Sequence, residues 1–229
     1  MNPMIETFGA LVGKAAAKSP DRARRLLEAA FYASNFQAKH FPSRKLTTAR
    51  AFISPVCMDA VLHPLAHPER SAIVNLFLPC EILHAMRIEP QIAEGLSCYF
   101  SGAGSEQYFI EYARQKGVPD TLCSYHKILT GIALSGVLPK PRLIANTTLA
   151  CDANTNTFRR IAAHYGVPHF TVDTPCADDA DAVQYVADQL RELARFTEEA
   201  MHERFSEDAL RAVLACEQRS MQACRSYYD

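Results

Sequence analysis

Apolar residues recur along this chain in two rhythms, and the change falls near residue 70. In "SPDRARRLLEAAFYASNFQAKHF", Leu26, Leu27, Ala30 and Phe31 return at the three- and four-residue spacing of an amphipathic helix. Ser19 stands where an N-cap belongs and Pro20 where a first helical residue belongs. The preceding "MIETFGALVGKAAA" reads as another amphipathic helix. From Arg50 to His67, Pro55 and Pro64 break up short apolar pieces, and Pro68 follows them, so an irregular, linker-like approach is expected. After residue 70 the pattern is different. "SAIVNLFLP" (71–79) is a continuous apolar run closed by proline, as in a strand buried on both faces. "RLIANTTLA" (142–150) and "VPHFTVDTP" (167–175) repeat that form.

Helical periodicity separates these runs. It appears in "CEILHAMRI", in "SEQYFIEYARQKG" with Ser105 at its start and Gly117 at its end, and in "VPDTLCSYHKILTGIALSG" up to Gly136. A further helix, "NTNTFRRIAAHYG", stops at Gly166, whereas Gly95 to Gly104 reads as a loop. Strand, helix, strand, helix, strand is the order of a right-handed α/β unit. The fold class expected is therefore α/β, a Rossmann-like parallel sheet flanked by helices. An N-terminal helical segment with its linker occupies 1–69, the α/β domain 70–176, and two long helices 177–229, running from Asp178 to about Phe205 and from Ser206 to about Cys224.

Charge and cysteine content narrow the possibilities. A net charge of −1 offers no broad basic surface for nucleic acid. No apolar stretch has the roughly 20 residues that cross a bilayer, and the N-terminus lacks the layout of a secretory signal, so a cytoplasmic protein is expected. Eight cysteines are many for 229 residues, yet no CxxC occurs. Disulfides are not expected in a reducing compartment, and any metal site must draw on cysteines distant in sequence.

Ligands of open parallel sheets collect beyond the carboxyl ends of the strands. That rule singles out Pro79-Cys80-Glu81, Thr147 to Asp152, and Asp173 to Cys176, each carrying a thiol. Cys123 joins them from the start of a helix, where backbone N–H groups favour a thiolate. Ser124, Thr147 and Thr148 carry hydroxyls beside these thiols, with capping and turn roles as the alternative. Glu81 follows a strand-ending proline and is expected to face the crevice of Cys151, or else to complement a helix dipole. His84 and His126 read as packed or surface histidines, Asp152 as a cap and Asp173 as a turn residue. Cys57, Cys98, Cys216 and Cys224 read as packing or incidental thiols. "GAGS" (102–105) hints at a phosphate loop but lacks the rest of that motif, and a turn before a helix is the expected reading.

Four segments, in order, resemble the 2-hydroxyacyl-CoA dehydratase family, which includes benzoyl-CoA reductase subunits: "LPCEILHAMRIEP", "KGVPDTLCSYHKILTGIALSG", "PKPRLIANTTLACD" and "YGVPHFTVDTP". The resemblance implies a 4Fe-4S cluster held by three cysteines per subunit, two of them matching Cys123 and Cys151 here. The third is expected beyond Asp229, in a second α/β domain that this sequence does not include. Cys80 departs from the family pattern and takes no ligand role. The resemblance further implies an acyl-CoA substrate, a related second subunit and an ATP-dependent iron–sulfur activator protein. The chemistry implied is one-electron reduction of the thioester to a ketyl radical that expels the 2-hydroxyl. Glu81 is the residue expected to handle protons, with Ser124 and Thr148 bonding to the cluster sulfurs. Two alternatives stay open: a benzoyl-CoA reductase-like reducing subunit, and a cluster-less α/β domain that binds a partner.

Overall fold

The computed structural model describes residues 2–228. Three helices come first: α1 (Pro3–Lys18), α2 (Pro20–His40) and α3 (Thr48–Ala66). Asn2 caps α1 by accepting from the Met4 amide at 3.0 Å, and Ser19 caps α2 as its sequence position predicts. The stretch expected to be a linker is instead α3. Pro55 and Pro64 each remove one helix hydrogen bond, but both are buried with Met58, Val61, Leu62 and Leu65. Packing of that apolar face against α2 and the sheet edge offsets a cost of about 3 kcal/mol per interior proline.

The remaining elements are β1 (Ser71–Val74), α4 (Glu81–Ala85), β2 (Glu89–Ile92), α5 (Ala93–Gly102), α6 (Glu106–Gln115), α7 (Ser124–Leu134), β3 (Leu143–Thr147), α8 (Ala153–Tyr165), β4 (His169–Val172), α9 (Ala180–Met201) and α10 (Glu207–Tyr228). The four strands form one parallel sheet in the order β2-β1-β3-β4. The expected α/β architecture is therefore the one adopted. Both central strands are buried throughout, as their apolar runs require. Two departures concern "EPQI", an edge strand, and the Gly95–Gly104 stretch, most of which is α5. Pro90 is tolerated in β2 because an outer strand has one side free of ladder bonds.

Two apolar layers cover the sheet. One joins Val12, Leu27, Phe31 and Leu62 of the first three helices to Ile73, Leu129, Ile144 and Phe158. The other joins Ala72, Val74, Leu83 and Leu143 to Val172 and Leu193. "GAGS" is a turn wedged against α1. Gly104 has φ +68°, and a side chain on it or on Gly9 would collide with backbone of the opposing segment. The Ser105 hydroxyl donates to the Phe100 carbonyl at 2.9 Å and leaves α6 without a side-chain cap.

Candidate functional site

The chain leaves β1 toward β2 on one side, and β3 then pairs on the other, so the topological switch point lies between β1 and β3. Its floor is a buried two-way bridge. Asn75 Nδ2 donates to Thr147 Oγ1 at 3.1 Å, and the Thr147 amide donates to Asn75 Oδ1 at 2.9 Å. Asn75 also explains why β1 is shorter than its apolar run: the side chain pairs with β3 instead of continuing the strand, and Leu76 and Phe77 emerge into solvent.

Beyond β3 the chain turns through Ala150, whose φ of +67° is rare for a residue with a side chain. That turn presents Cys151, half-buried, with its Sγ 3.4 Å from His126 Nε2. His126 belongs to the first turn of α7, whose N-cap residue is the exposed Cys123. His126 lies three residues after Cys123, so the segment that carries Cys123 meets the Cys151 turn through this imidazole. Burial holds His126 below its ordinary pKa, which favours a neutral ring. The Cys123 side chain is exposed and makes no cap bond.

Neighbouring groups fix α7 in place. Ser97 Oγ lies 3.1 Å from the Tyr125 carbonyl and 3.0 Å from that of Ala93. The buried Lys127 ammonium donates to the Asp120 carbonyl at 2.9 Å, holding the loop before Cys123. Glu94 accepts from the Leu76 amide at 2.9 Å, lines a small pocket with Tyr125 and His126, and has its pKa raised by burial.

Of the residues picked out by sequence, Cys151 touches α7 through His126, and Cys123 and Ser124 stand three and two residues before that histidine. Thr148 donates to Asp173 Oδ1 at 2.9 Å and accepts from the Thr174 amide at 2.8 Å, which joins the ends of β3 and β4. Its proton is committed to that carboxylate. Glu81, in the first turn of α4, lines a groove of about 560 Å³ with Ile82, Leu190, Arg191 and Leu210, formed by α4, α9 and α10. Asp152 occupies the N-cap position of α8 without a side-chain cap bond. Cys80 is a packing thiol: its Sγ donates to the Leu78 carbonyl at 3.2 Å, and burial, followed by the charge of Glu81, pushes its pKa up to about 12.

Sequence reasoning missed His126, Glu94 and Asn75. His126 had one visible signal, its position one turn after Cys123; its partner lies 25 residues away and no spacing rule connects them. Cys123 and Cys151 fit two positions of a thiolate-bound iron–sulfur centre by donor chemistry, since such clusters take thiolates. Among the described residues no group of three or more His, Cys, Asp or Glu side chains is gathered to hold a metal ion.

These features define an α/β domain with a thiol-lined switch-point crevice. The family model described as 2-hydroxyglutaryl-CoA dehydratase, D-component, matches residues 75–229, more than half of the chain, and the chain belongs to that family. It is thus a dehydratase-type subunit, and a component family implies a partner subunit. No curated protein matches the chain. No helix among the described residues is long and apolar enough to cross a membrane.

Proposed function

We propose that this subunit serves the dehydration of a 2-hydroxyacyl-CoA, with Cys123 and Cys151 as its two thiolate ligands to a 4Fe-4S cluster. The observation that supports it best is the 3.4 Å approach of Cys151 Sγ to His126 Nε2, which ties both thiol segments together at the switch point. Held by Cys123 and Cys151, such a cluster would supply the one-electron chemistry that loss of a 2-hydroxyl from an acyl-CoA calls for. The chain's own side chains hold and shape the place. The Asn75–Thr147 bridge sets the crevice floor, and the left-handed Ala150 aims Cys151. The His126 ring, in the tautomer with an N–H on Nε2, donates to the Cys151 sulfur and orients it. Leu76, Phe77 and Leu149, exposed in the segments that follow β1 and β3, offer apolar surface suited to excluding water from an acyl group.

Glu81 is the proposed proton-handling carboxylate, supported by its place in a strand-end groove rather than by proximity to Cys151. The related partner subunit, the activator and a cytoplasmic setting complete this reading. The test is dehydration of 2-hydroxyacyl-CoA thioesters by the chain combined with its partner subunit and an ATP-dependent activator. Activity abolished by Cys151→Ala and lowered at least tenfold by Glu81→Gln supports the assignment. Undiminished turnover in Cys151→Ala refutes it.

A further inference from the structure

Charge is segregated along this chain. From Ala29 to Met58 there is no Asp or Glu; Lys39 pairs with Asp59 at 2.8 Å, and Arg44, Lys45 and Arg50 are three further cations. From Ile161 to Leu190 there is no Lys or Arg; Asp188 pairs with Arg191 at 2.6 Å, and Asp173, Asp178, Asp179 and Asp181 are four further anions. The fold carries these stretches to opposite margins of the sheet: α3 packs on β2 and α9 on β4, and these are the two outer strands. Neither stretch neutralises the other within one molecule.

Both margins also display uncovered apolar side chains. On the cationic side Phe41 and Phe52 are each 70% exposed and Ile53 is 50% exposed. On the acidic side Val183 is 66% and Tyr185 48% exposed. The asymmetry of α3 is the stronger sign. Its inner face buries Met58, Leu62 and Leu65, yet its outer face, with Phe52, Ile53 and Val56, is apolar too. A helix apolar all round is one that is covered on all sides. The α2–α3 connection is exposed from residue 41 to residue 50, and Arg44, Lys45 and Arg50 form no ion pair among the described residues.

What covers this face must bring apolar side chains and negative charge. The same face of another copy brings positive charge and is repelled. The acidic margin of another copy brings both. We propose that the α2–α3 face of one molecule docks head to tail on the β4–α9 margin of a second copy of this chain. Such a contact is heterologous, so it closes into a ring or propagates as a short chain of subunits. Its charged rim makes it sensitive to salt. Residues 29–58 precede the family-matched region, so the cationic half of this contact stands apart from the proposed dehydration.

Sedimentation velocity on the full chain tests it. At about 50 mM salt the mean mass should rise with concentration above the 25.4 kDa of one chain, and it should return to that value near 0.5 M salt. Two exposed double variants, Arg44→Glu/Lys45→Glu and Asp178→Lys/Asp181→Lys, should each weaken association at least tenfold alone and keep the native circular dichroism. An equimolar mixture of the two should associate again, because each variant retains the margin that the other has lost. A contact between like faces cannot give that mixing result, since the second variant would still self-associate. A wild-type chain that is monomeric at low salt, or a variant that associates as the wild type does, overturns the proposal. Monomers that associate only after a different, related subunit is added overturn it as well.

Discussion

Replacing Asn75 with alanine should be among the costliest single substitutions in the crevice. Asn75 is fully buried and Thr147 nearly so, and each satisfies the other through a side-chain amide, a hydroxyl and a backbone N–H. Asn75→Ala strands the Thr147 amide and removes a donor to its hydroxyl. At roughly 1–3 kcal/mol per stranded buried group, plus a small cavity, the loss is about 2–4 kcal/mol. Thr147→Val keeps the amide bond to Asn75 Oδ1 and strands only Nδ2, for about 1–2 kcal/mol. The double variant should cost less than the sum, because with Asn75 gone no Nδ2 is left to strand and only the residue-147 amide lacks its partner. Urea denaturation followed by circular dichroism measures all three, and hydrogen exchange should show faster exchange at the Thr147 amide in Asn75→Ala. An Asn75→Ala protein within about 0.5 kcal/mol of wild type, or strictly additive losses, would refute the bridge as the floor of the crevice.

Further outcomes follow from other positions. Gly131→Ala should destabilise by about 2 kcal/mol despite alanine's helix preference, because a Cβ there collides with the Phe109 backbone of α6; thermal melting checks this. Burial raises the folded-state pKa of Glu94 above its ordinary 4.5, so the folded protein holds this proton more tightly than the unfolded chain does. Stability should therefore fall as pH rises from about 4.5 through the raised value, and Glu94→Gln should flatten that fall in pH-dependent urea melts. Cys80, at about 12 against an ordinary 9.0, should be alkylated roughly a thousandfold more slowly at pH 8 than a small free thiol of ordinary pKa added as a reference, as native-state mass spectrometry would show.

The central sheet was legible in the sequence because strands buried on both faces leave unbroken apolar runs, as in Leu143–Thr147. Glycines Gly117, Gly136 and Gly166 marked helix ends correctly, each with positive φ. What escaped had a common physical cause: tertiary packing overrode local preference. α3 forms through two prolines because its inner face is buried, and α5 forms through Gly95 because Leu96, Ser97 and Phe100 are buried. The edge strand "EPQI" has neither alternation nor an apolar run, and only pairing with β1 defines it. At the site, Cys123 and Cys151 were visible as residues at element boundaries. The contact of the His126 imidazole with Cys151 was not, because it depends on how α7 lies against the β3–α8 turn.

The claim that matters most is that Cys123 and Cys151 form one thiolate site. Anaerobic reconstitution of the chain with iron and sulfide, using a small thiol to complete the coordination, measures it directly through bound iron, bound sulfide and the visible spectrum. The account predicts bound iron and sulfide with broad absorbance in the wild type and in Cys216→Ser, and loss of both in Cys123→Ser and in Cys151→Ser. Iron binding that survives replacement of Cys123 and Cys151 together, or a wild-type chain that takes up none, would contradict it.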